Sequence, residues 1–277
     1  MKINFTKMHG LGNDFVVIDA TKQPFQMTIP QIQKMAHRRL GIGFDQLLVI
    51  ELPKSGYTVD FHFRIFNADG SEVSQCGNGA CCIAHYIYAN QLTERNALQV
   101  STLKDILELK IQSDDTVSVK MGVPRFDPAD VPFIVSKTAN FYDLEIDNQK
   151  IKFGVVNIGN PHAIIPVDTI DALLISKLSP RLSTHKCFPE GINVGFMQVI
   201  NSQNIRLRVY ERGAGETLSC GSGACAAMAV GRRSGLLQKR VVVEQLGGSL
   251  VIDWKGFLAP VIMTGSAATI FRGEWLG

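Results

Sequence analysis

Two stretches of the chain, RIFNADGSEVSQCGNGACCIA (64–84) and RVYERGAGETLSCGSGACAAM (208–228), resemble each other residue by residue. Their matched positions lie 144 residues apart, as Cys76 and Cys220 do. In each copy a strand and a polar turn lead into Cys-Gly-x-Gly-Ala, which opens a run of small or apolar residues. A helix without a polar face is buried. We therefore expect a duplicated fold in which strands wrap around two central helices.

Local patterns predict the other elements. Residues 59–65 alternate between apolar and polar, as a half-buried strand does. Residues 109–121 predict a β-hairpin. Thr28 is the expected N-cap of an amphipathic helix that extends to Arg39 and stops at Gly41.

These elements place the chain in the α/β (α+β) class with two similar domains. The proline-rich stretch 123–132 lacks a clear period and predicts the linker. We expect residues 1–122 to form the N-terminal domain with Cys76 and residues 123–264 the C-terminal domain with Cys220. A last strand, about 265–277, is expected to pack back on the first domain.

The composition excludes several classes of protein. The chain has 277 residues, of which 45% are hydrophobic and 19% charged, so it is long and apolar enough to fold. Its formal charge of +3 is too small to indicate a nucleic-acid partner. We find neither a membrane span nor a secretory signal, and expect a cytoplasmic protein whose six cysteines are thiols.

Cys76 and Cys220 each precede a predicted helix, where free backbone N–H groups and the helix dipole concentrate positive charge. We expect this position to lower the pKa of both thiols. The neighbouring glycines let a ligand approach the backbone, and the N–H groups suit a carboxylate. Two such sites facing one carboxylate would place a sulfur on each side of the adjacent carbon. Inversion of a stereocentre needs this arrangement, because a base removes the proton from one face and an acid returns one to the other.

Two other interpretations of the cysteines compete with this one. Buried cysteines are usually small core residues, the interpretation we favour for Cys81, Cys82, Cys187 and Cys225. The two C-x4-C pairs could also bind zinc. Structural zinc sites mostly have tighter spacing, and a residue one turn into a buried helix would point away from a ligand at its start.

The sequence resembles the diaminopimelate epimerase family along most of its length. The matching motifs are HGLGNDF (9–15), GIGFDQ (41–46), FRIFNADGSEVSQCGNGA (63–80), GNPH (159–162), INVGFMQ (192–198), RVYERGAGETLSCGSGACA (208–226) and LGGSL (246–250). The resemblance implies a fold of two pseudo-symmetric domains, each a barrel-like sheet around a central helix. It also implies an enzyme without pyridoxal phosphate, metal or other cofactor. Such enzymes interconvert LL- and meso-diaminopimelate in lysine and peptidoglycan precursor synthesis.

The same resemblance implies roles for individual residues. Cys220 resembles the proton acceptor and Cys76 the proton donor, while His162 and Glu211 resemble the residues that tune their ionisation. Donors to the reacting carboxylate correspond to Gly77, Asn78, Gly221 and Ser222. The remaining substrate-binding positions correspond to Asn13, Gln46, Asn67, Asn160, Asn193, Glu211 and Arg212. Among these, Arg212 suits the distal carboxylate, because its guanidinium offers two parallel donors.

The sequence departs from the family pattern at two positions. Cys81 stands where many members have Arg, so the role of that Arg is absent or taken by another residue. Phe271 stands where the family often has a Tyr tied to dimer formation. We still expect a homodimer, with Phe271 near the interface through its apolar contact.

Three other functions remain as alternatives. A proline racemase would use the same two-thiol chemistry on a smaller substrate, and Arg212 with several asparagines argues against it. A phenazine-type isomerase has a similar fold but lacks the cysteine pair. An amino-acid binding module would have no use for two thiols directed at one carbon.

Overall fold

The computed structural model describes residues 2–53, 56, 58–74 and 76–277. Strands dominate and helices are few, which confirms the mixed α/β class. In chain order the elements are β1 (Ile3–Gly10), β2 (Asn13–Asp19), α1 (Ile29–Ala36), β3 (Gln46–Glu51), β4 (Phe61–Asn67), β5 (Glu72–Val73), α2 (Gly77–Ala89), β6 (Ala97–Ser101), β7 (Ile106–Ile111), β8 (Val117–Gly122), β9 (Tyr142–Ile146), β10 (Gln149–Asn157), β11 (Pro161–Val167), α3 (Ala172–Ser183), β12 (Asn193–Asn201), β13 (Asn204–Glu211), β14 (Gly215–Thr217), α4 (Gly221–Arg233), β15 (Arg240–Gln245), β16 (Gly248–Trp254), β17 (Val261–Gly265) and β18 (Ala268–Trp275).

The chain divides into two compact units, which are described separately. Unit 1 comprises Met1–Lys120 and Thr264–Gly277, and unit 2 comprises Met121–Met263. No helix in the described part of the chain is long and apolar enough to cross a membrane.

In unit 1, the starts of β2 and β3 and the end of β4 lie at the same end of the sheet. β2 pairs in parallel with β3, with Phe15 opposite Gln46, and β3 pairs antiparallel with β4, with Gln46 opposite Asn67. Because β4 runs in the opposite direction, its last residue lies beside the first residues of β2 and β3. This geometry collects Asn13, Gln46 and Asn67 at one end of the sheet.

Unit 2 repeats the arrangement. β11 pairs in parallel with β12, with His162 opposite Asn193, and β12 pairs antiparallel with β13. The end of β13, at Glu211, therefore lies at the same edge as the starts of β11 and β12. The duplicated sequence thus produces equivalent strand ends in the two units.

The central sheet of each unit is covered by helices on both faces. In unit 1, Val16 and Leu47 pack with Ile32 of α1, while α2 contacts β1, β2, β3 and β7. Strands covered on both faces need apolar residues at consecutive positions, which explains the uninterrupted runs FVVI and LLVI. In unit 2, residues of α3 pack with those of β11 and β12, while α4 contacts strands that include β10 and β16.

The prediction of buried central helices is confirmed. In α2, residues 77–84 and Ile87 are buried, and in α4 ten of the thirteen residues are. Small side chains let these helices approach their neighbours closely. A Cβ atom added at Gly231 would lie 2.4 Å from Leu237 Cδ1, so the helix fits there only with glycine.

Two local predictions are confirmed and one is wrong. The strand around residues 59–65 is present as β4, starting two residues later, and β7 and β8 form the hairpin. The helix from the Thr28 cap ends at Ala36 rather than Arg39. His37 has an extended backbone, and its ring Nδ1 accepts the N–H groups of Arg39 and Leu40 at 3.1 and 3.0 Å. These N–H groups therefore form no helical hydrogen bonds. Arg38 lies in the turn that follows the helix.

Candidate active site

Cys76 and Cys220 occupy the same position, the N-cap of α2 and of α4. Each sulfur accepts a hydrogen bond from the N–H of the third helical residue, Gly79 or Gly223, at 3.3 Å. A thiol sulfur thus takes the place of the usual Ser, Thr, Asp or Asn oxygen. This contact fixes each sulfur beside the open N-terminus of its helix.

The glycine in the third position is a steric requirement. A Cβ atom at Gly223 would lie 2.8 Å from Val209 Cγ2 and 3.2 Å from Cys220 Sγ. At Gly79 it would lie 3.2 Å from a Leu48 methyl group and 3.3 Å from the sulfur. The backbone N–H groups of the first two helical residues in each unit point out of the helix, a geometry that suits a bound carboxylate.

In unit 1 the predicted substrate-binding residues lie at one end of the sheet and in the first turn of α2. The Cys76 thiol lies 3.9 Å from Asn13 Oδ1. Gln46 donates to Asn67 Oδ1 at 2.9 Å, across the β3–β4 pair. Asn78 is buried in the first turn of α2. The structure therefore brings these polar residues together at one end of the sheet.

In unit 2 a chain of polar groups leads away from Cys220. The Cys220 sulfur lies 3.5 Å from Ser222 Oγ, which lies 3.0 Å from His162 Nε2. The same ring nitrogen lies 2.9 Å from Asn160 Oδ1. His162 is fully buried, and no partner is described for its Nδ1 atom. A serine hydroxyl thus lies between the thiol and the imidazole.

Arg212 and Asn193 form the other side of the site in unit 2. Asn193 donates to Pro161 O at 2.8 Å and accepts the Arg212 backbone N–H at 2.9 Å. The Arg212 guanidinium is exposed and donates to the Glu190 carbonyl oxygen at 2.6 Å. It lines a cleft of about 700 Å³ whose wall also includes Tyr210. The described lining of this cleft does not include Cys220 or His162.

The expected lowering of the thiol pKa is wrong for Cys220. Burial raises the pKa of Cys220 well above its ordinary value, and the negative charge of Glu211 raises it further. Hydrogen bonds from Ser222 and from the Gly223 N–H act in the opposite direction but are weaker. Glu211 also accepts a hydrogen bond from the Thr217 hydroxyl at 2.7 Å. Burial and the negative charge of Glu211 therefore keep Cys220 in the thiol form, against the effect expected of a helix N-terminus.

His162 is held neutral. Burial, with a smaller contribution from the positive charge of Arg212, lowers the pKa of His162 to about 3. A neutral imidazole has one donor and one acceptor nitrogen. His162 can therefore accept or donate a hydrogen bond at neutral pH without adding charge to the site.

The other helical cysteines are core residues. Cys81, Cys82 and Cys225 are buried inside α2 and α4, and burial raises the pKa of each, to about 12 for Cys81. The Cys81 thiol lies 3.9 Å from the Val117 carbonyl oxygen rather than at the helix start. These positions favour packing over zinc binding. Cys187 is half-buried, with its sulfur 2.9 Å from His185 Nδ1.

Sequence reasoning missed Gln245. Its side-chain oxygen accepts the Cys220 N–H at 2.9 Å, and its amide nitrogen lies 3.4 Å from Ser219 Oγ. In a capping box the third helical residue would satisfy the N-cap N–H, but Gly223 has no side chain with which to do so. Gln245 supplies it from β15. It immediately precedes the LGGSL motif, which marked the segment but not the residue.

The chain can be compared with known proteins. A family model described as diaminopimelate epimerase matches residues 5–126 and 154–270. A diaminopimelate epimerase from Coxiella burnetii (strain Dugway 5J108-111) is 72% identical over 276 residues, covering 100% of both chains. The chain belongs to the diaminopimelate epimerase family. A diaminopimelate epimerase from Chromobacterium violaceum is 49% identical over 274 residues, which cover 99% of both chains.

Solved structures of more distant proteins share the fold. A Bacillus anthracis phenazine biosynthesis protein of the PhzF family superposes with a TM-score of 0.70 at 16% identity, covering 100% of both chains. A hydroxyproline epimerase from Agrobacterium vitis gives 0.72 at 14% identity, covering 99% of this chain and 92% of its own. These identities show the fold alone. The family resemblance expected from the motifs is confirmed by the closer relatives.

We predict that Glu211→Gln makes Cys220 more reactive, because removing the carboxylate charge lowers the pKa of the thiol. Alkylation of Cys220 by iodoacetamide, followed by peptide mass spectrometry at pH 8, should be roughly threefold to tenfold faster. Glu216→Gln is the matched control, since its carboxylate pairs with Arg208 instead. Equal rates in the two variants would contradict the assigned influence of Glu211.

Proposed function

We propose that this protein is an isomerase that interconverts LL- and meso-2,6-diaminopimelate. The observation that carries the proposal is the 72% identity to a diaminopimelate epimerase over the whole chain. The cysteine pair at two helix N-caps supports it, because epimerisation at a carbon next to a carboxylate needs two proton carriers. In the cell the reaction would serve the synthesis of lysine and peptidoglycan precursors.

In this mechanism the substrate carboxylate is bound by backbone N–H groups. Gly77 and Asn78 begin one helix, and Gly221 and Ser222 begin the other. Negative charge moves onto the carboxylate when the α-proton leaves, and preorganised N–H donors stabilise it. The role of the two helices is therefore to make an otherwise weak carbon acid reactive.

Cys220 accepts the α-proton and Cys76 donates one to the opposite face, and the roles exchange in the reverse direction. The C–H bond breaks as a Cys220 S–H bond forms, and a new C–H bond takes the proton of Cys76. Cys220 must therefore be a thiolate when substrate is bound. Glu211 raises the pKa of this thiol in the ligand-free protein. We propose that the same carboxylate takes the thiol proton once substrate is bound. His162 stays neutral beside Ser222 and tunes the ionisation of the site by hydrogen bonding.

The remaining polar residues bind the substrate. Asn13, Gln46, Asn67, Asn160 and Asn193 lie at the strand ends of the two units and would hold the amino and carboxylate groups. We assign Arg212 to the distal carboxylate, which distinguishes diaminopimelate from a smaller amino acid. Its place next to Glu211 at the end of β13, with its backbone N–H bonded to Asn193, supports this role.

We further propose a cytoplasmic homodimer that needs no cofactor. Phe271 is 47% exposed on β18 and packs edge-to-face on Phe5, with ring centroids 5.9 Å apart. Its neighbour Ile270 is 53% exposed, so this strand offers apolar surface to a second copy. The six cysteines are thiols and not disulfides, which is compatible with the reducing cytoplasm.

Replacing either proton carrier should abolish turnover. We expect Cys76→Ala and Cys220→Ala each to lower the rate of meso-diaminopimelate formation from the LL isomer by at least about a hundredfold, because each step needs its own acid or base. Cys81→Ala and Cys225→Ala are matched controls from the same two helices and should retain most of the activity. Near-normal turnover by either N-cap variant would contradict the two-thiol mechanism.

Arg212→Ala should weaken the preference for diaminopimelate. Loss of a charge-assisted hydrogen bond should lower kcat/KM by roughly tenfold to a hundredfold, mainly through KM. Arg212→Lys should recover part of it, because an ammonium group cannot form two parallel bonds. The measurement compares diaminopimelate with a shorter monocarboxylic amino acid in each variant. An unchanged preference in Arg212→Ala would assign the distal end to the asparagines instead.

A further inference from the structure

Asp45 lies behind the Asn13 side chain that faces Cys76. Asn13 Nδ2 donates to Asp45 Oδ2 at 2.8 Å, and the Asp14 backbone N–H donates to the same oxygen at 3.1 Å. The amide nitrogen of Asn13 is therefore turned toward Asp45. Its other end, the oxygen Oδ1, lies 3.9 Å from Cys76 Sγ.

A charged network fixes the position of Asp45. Arg38 donates to Asp45 Oδ1 at 2.7 Å and to both oxygens of Asp14, at 2.7 and 3.1 Å. The Asp45 backbone N–H returns a bond to Asp14 at 3.0 Å. Behind them the buried Lys7 ammonium pairs with Asp14 at 2.6 Å and donates to the Gly43 carbonyl. The carboxylates are therefore held from two sides by cations.

Asp14 and Arg38 are ionised at neutral pH. Burial raises the pKa of Asp14, but hydrogen bonds from Arg38 and Lys7 outweigh it and bring the value to about 2. Opposite charges on Asp14 and Asp45 raise the pKa of Arg38 further above its ordinary value. An ionised carboxylate only accepts hydrogen bonds. Both Asp45 oxygens accept hydrogen bonds, Oδ1 from Arg38 and Oδ2 from Asn13 and the Asp14 N–H. Asp45 therefore admits one orientation of the Asn13 amide, with nitrogen toward itself and oxygen toward Cys76.

The orientation matters because the two ends of an amide favour opposite forms of a thiol. An oxygen facing the sulfur accepts from S–H and favours the protonated form, whereas an NH₂ group would donate to the sulfur and favour the thiolate. Other titratable groups are described on the elements around Cys76. They are Cys81, Cys82, His85, Tyr86 and Tyr88 on α2, Lys7 and His9 on β1, Asp14 and Asp19 on β2, Glu51 on β3, and Glu108 and Lys110 on β7. Burial raises the pKa of both helical cysteines, so they remain neutral thiols.

We propose that Asp45 is a positioning residue that locks the Asn13 amide with its oxygen toward Cys76 and so keeps this thiol protonated. The inference rests on the proposed role of Cys76 as proton donor, which requires the thiol form before reaction. Cys220 differs, because its side-chain neighbour Ser222 carries a hydroxyl that can donate to sulfur. Both sulfurs accept from the third helical N–H, and the side-chain neighbour differs: an amide oxygen for Cys76 and a hydroxyl for Cys220.

The test reverses the amide. In Asp45→Asn, Arg38 retains the side-chain oxygen at the Oδ1 position, and the new NH₂ group takes the Oδ2 position facing Asn13. The hydrogen bond from the Asp14 N–H to Oδ2 is lost. Asn13 must then turn its oxygen toward residue 45 and its NH₂ group toward Cys76. We expect alkylation of Cys76 by iodoacetamide at pH 7 to become roughly threefold to tenfold faster, with its pH profile shifted to lower pH. Peptide mass spectrometry separates Cys76 from the other thiols.

Two further variants distinguish positioning from a structural role. Asp60→Asn is the matched control, because Asp60 also accepts from an arginine, Arg95, and from a backbone N–H, that of Gln99. We expect its Cys76 alkylation profile to equal that of the unmodified protein. In the double variant Asn13→Asp, Asp45→Asn, the new NH₂ group donates to one oxygen of the carboxylate at position 13, and the other faces Cys76. Cys76 should then react more slowly than in the unmodified protein.

Equal alkylation profiles in Asp45→Asn and Asp60→Asn would overturn the proposal, as would a double variant that reacts as fast as Asp45→Asn. If Asp45→Asn does not fold, the double variant, which restores a complementary pairing, tests the proposal instead. A Cys76 alkylation rate equal to or above that of the unmodified protein would then overturn it. The readout does not depend on turnover. Absence of diaminopimelate epimerisation in the unmodified protein would therefore refute the proposed function and leave the orientation of Asn13 to be judged by alkylation alone.

Discussion

The hydrogen bond from the third helical N–H to the N-cap cysteine sulfur, 3.3 Å in both units, is the contact on which the site depends. It fixes each sulfur at a helix start, next to the N–H groups that can hold a carboxylate. It also explains the Cys-Gly-x-Gly motif, because a side chain at the second glycine would meet the sulfur and a neighbouring strand. The strands and the buried helix serve to hold this contact rigid.

Much of the fold could be predicted from local pattern and from the duplication. Runs of small and apolar residues predicted the buried helices, because a helix buried on every face has no polar side. Alternation of apolar and polar residues predicted β4, because a strand buried on one face has a period of two. The predicted end of α1 was wrong, because the His37 ring accepts two backbone N–H groups that would otherwise bond within the helix. Propensity alone does not include such a side-chain competitor.

The sequence predicted which residues form the site better than it predicted their pKa values. The motif residues gather at equivalent strand ends in each unit, as the duplication suggested. The pKa of Cys220 moves in the opposite direction from that expected at a helix N-terminus, because burial and Glu211 together outweigh the hydrogen bonds from Ser222 and the Gly223 N–H. Gln245 and Asp45 were missed as supporting residues. Their partners, Cys220 and Asn13, are 25 and 32 residues away, and no short motif records such a contact.

The most direct test of the two-thiol account follows hydrogen isotopes during the first few per cent of reaction in deuterated water. If one thiol removes the α-proton and another, equilibrated with solvent, supplies its replacement, newly formed meso-diaminopimelate carries deuterium at the inverted carbon. The remaining LL-diaminopimelate keeps its original hydrogen. A single carrier would return protons to both faces, so deuterium would enter substrate and product at the same rate. That result, or a product that retains the original hydrogen, would contradict the account.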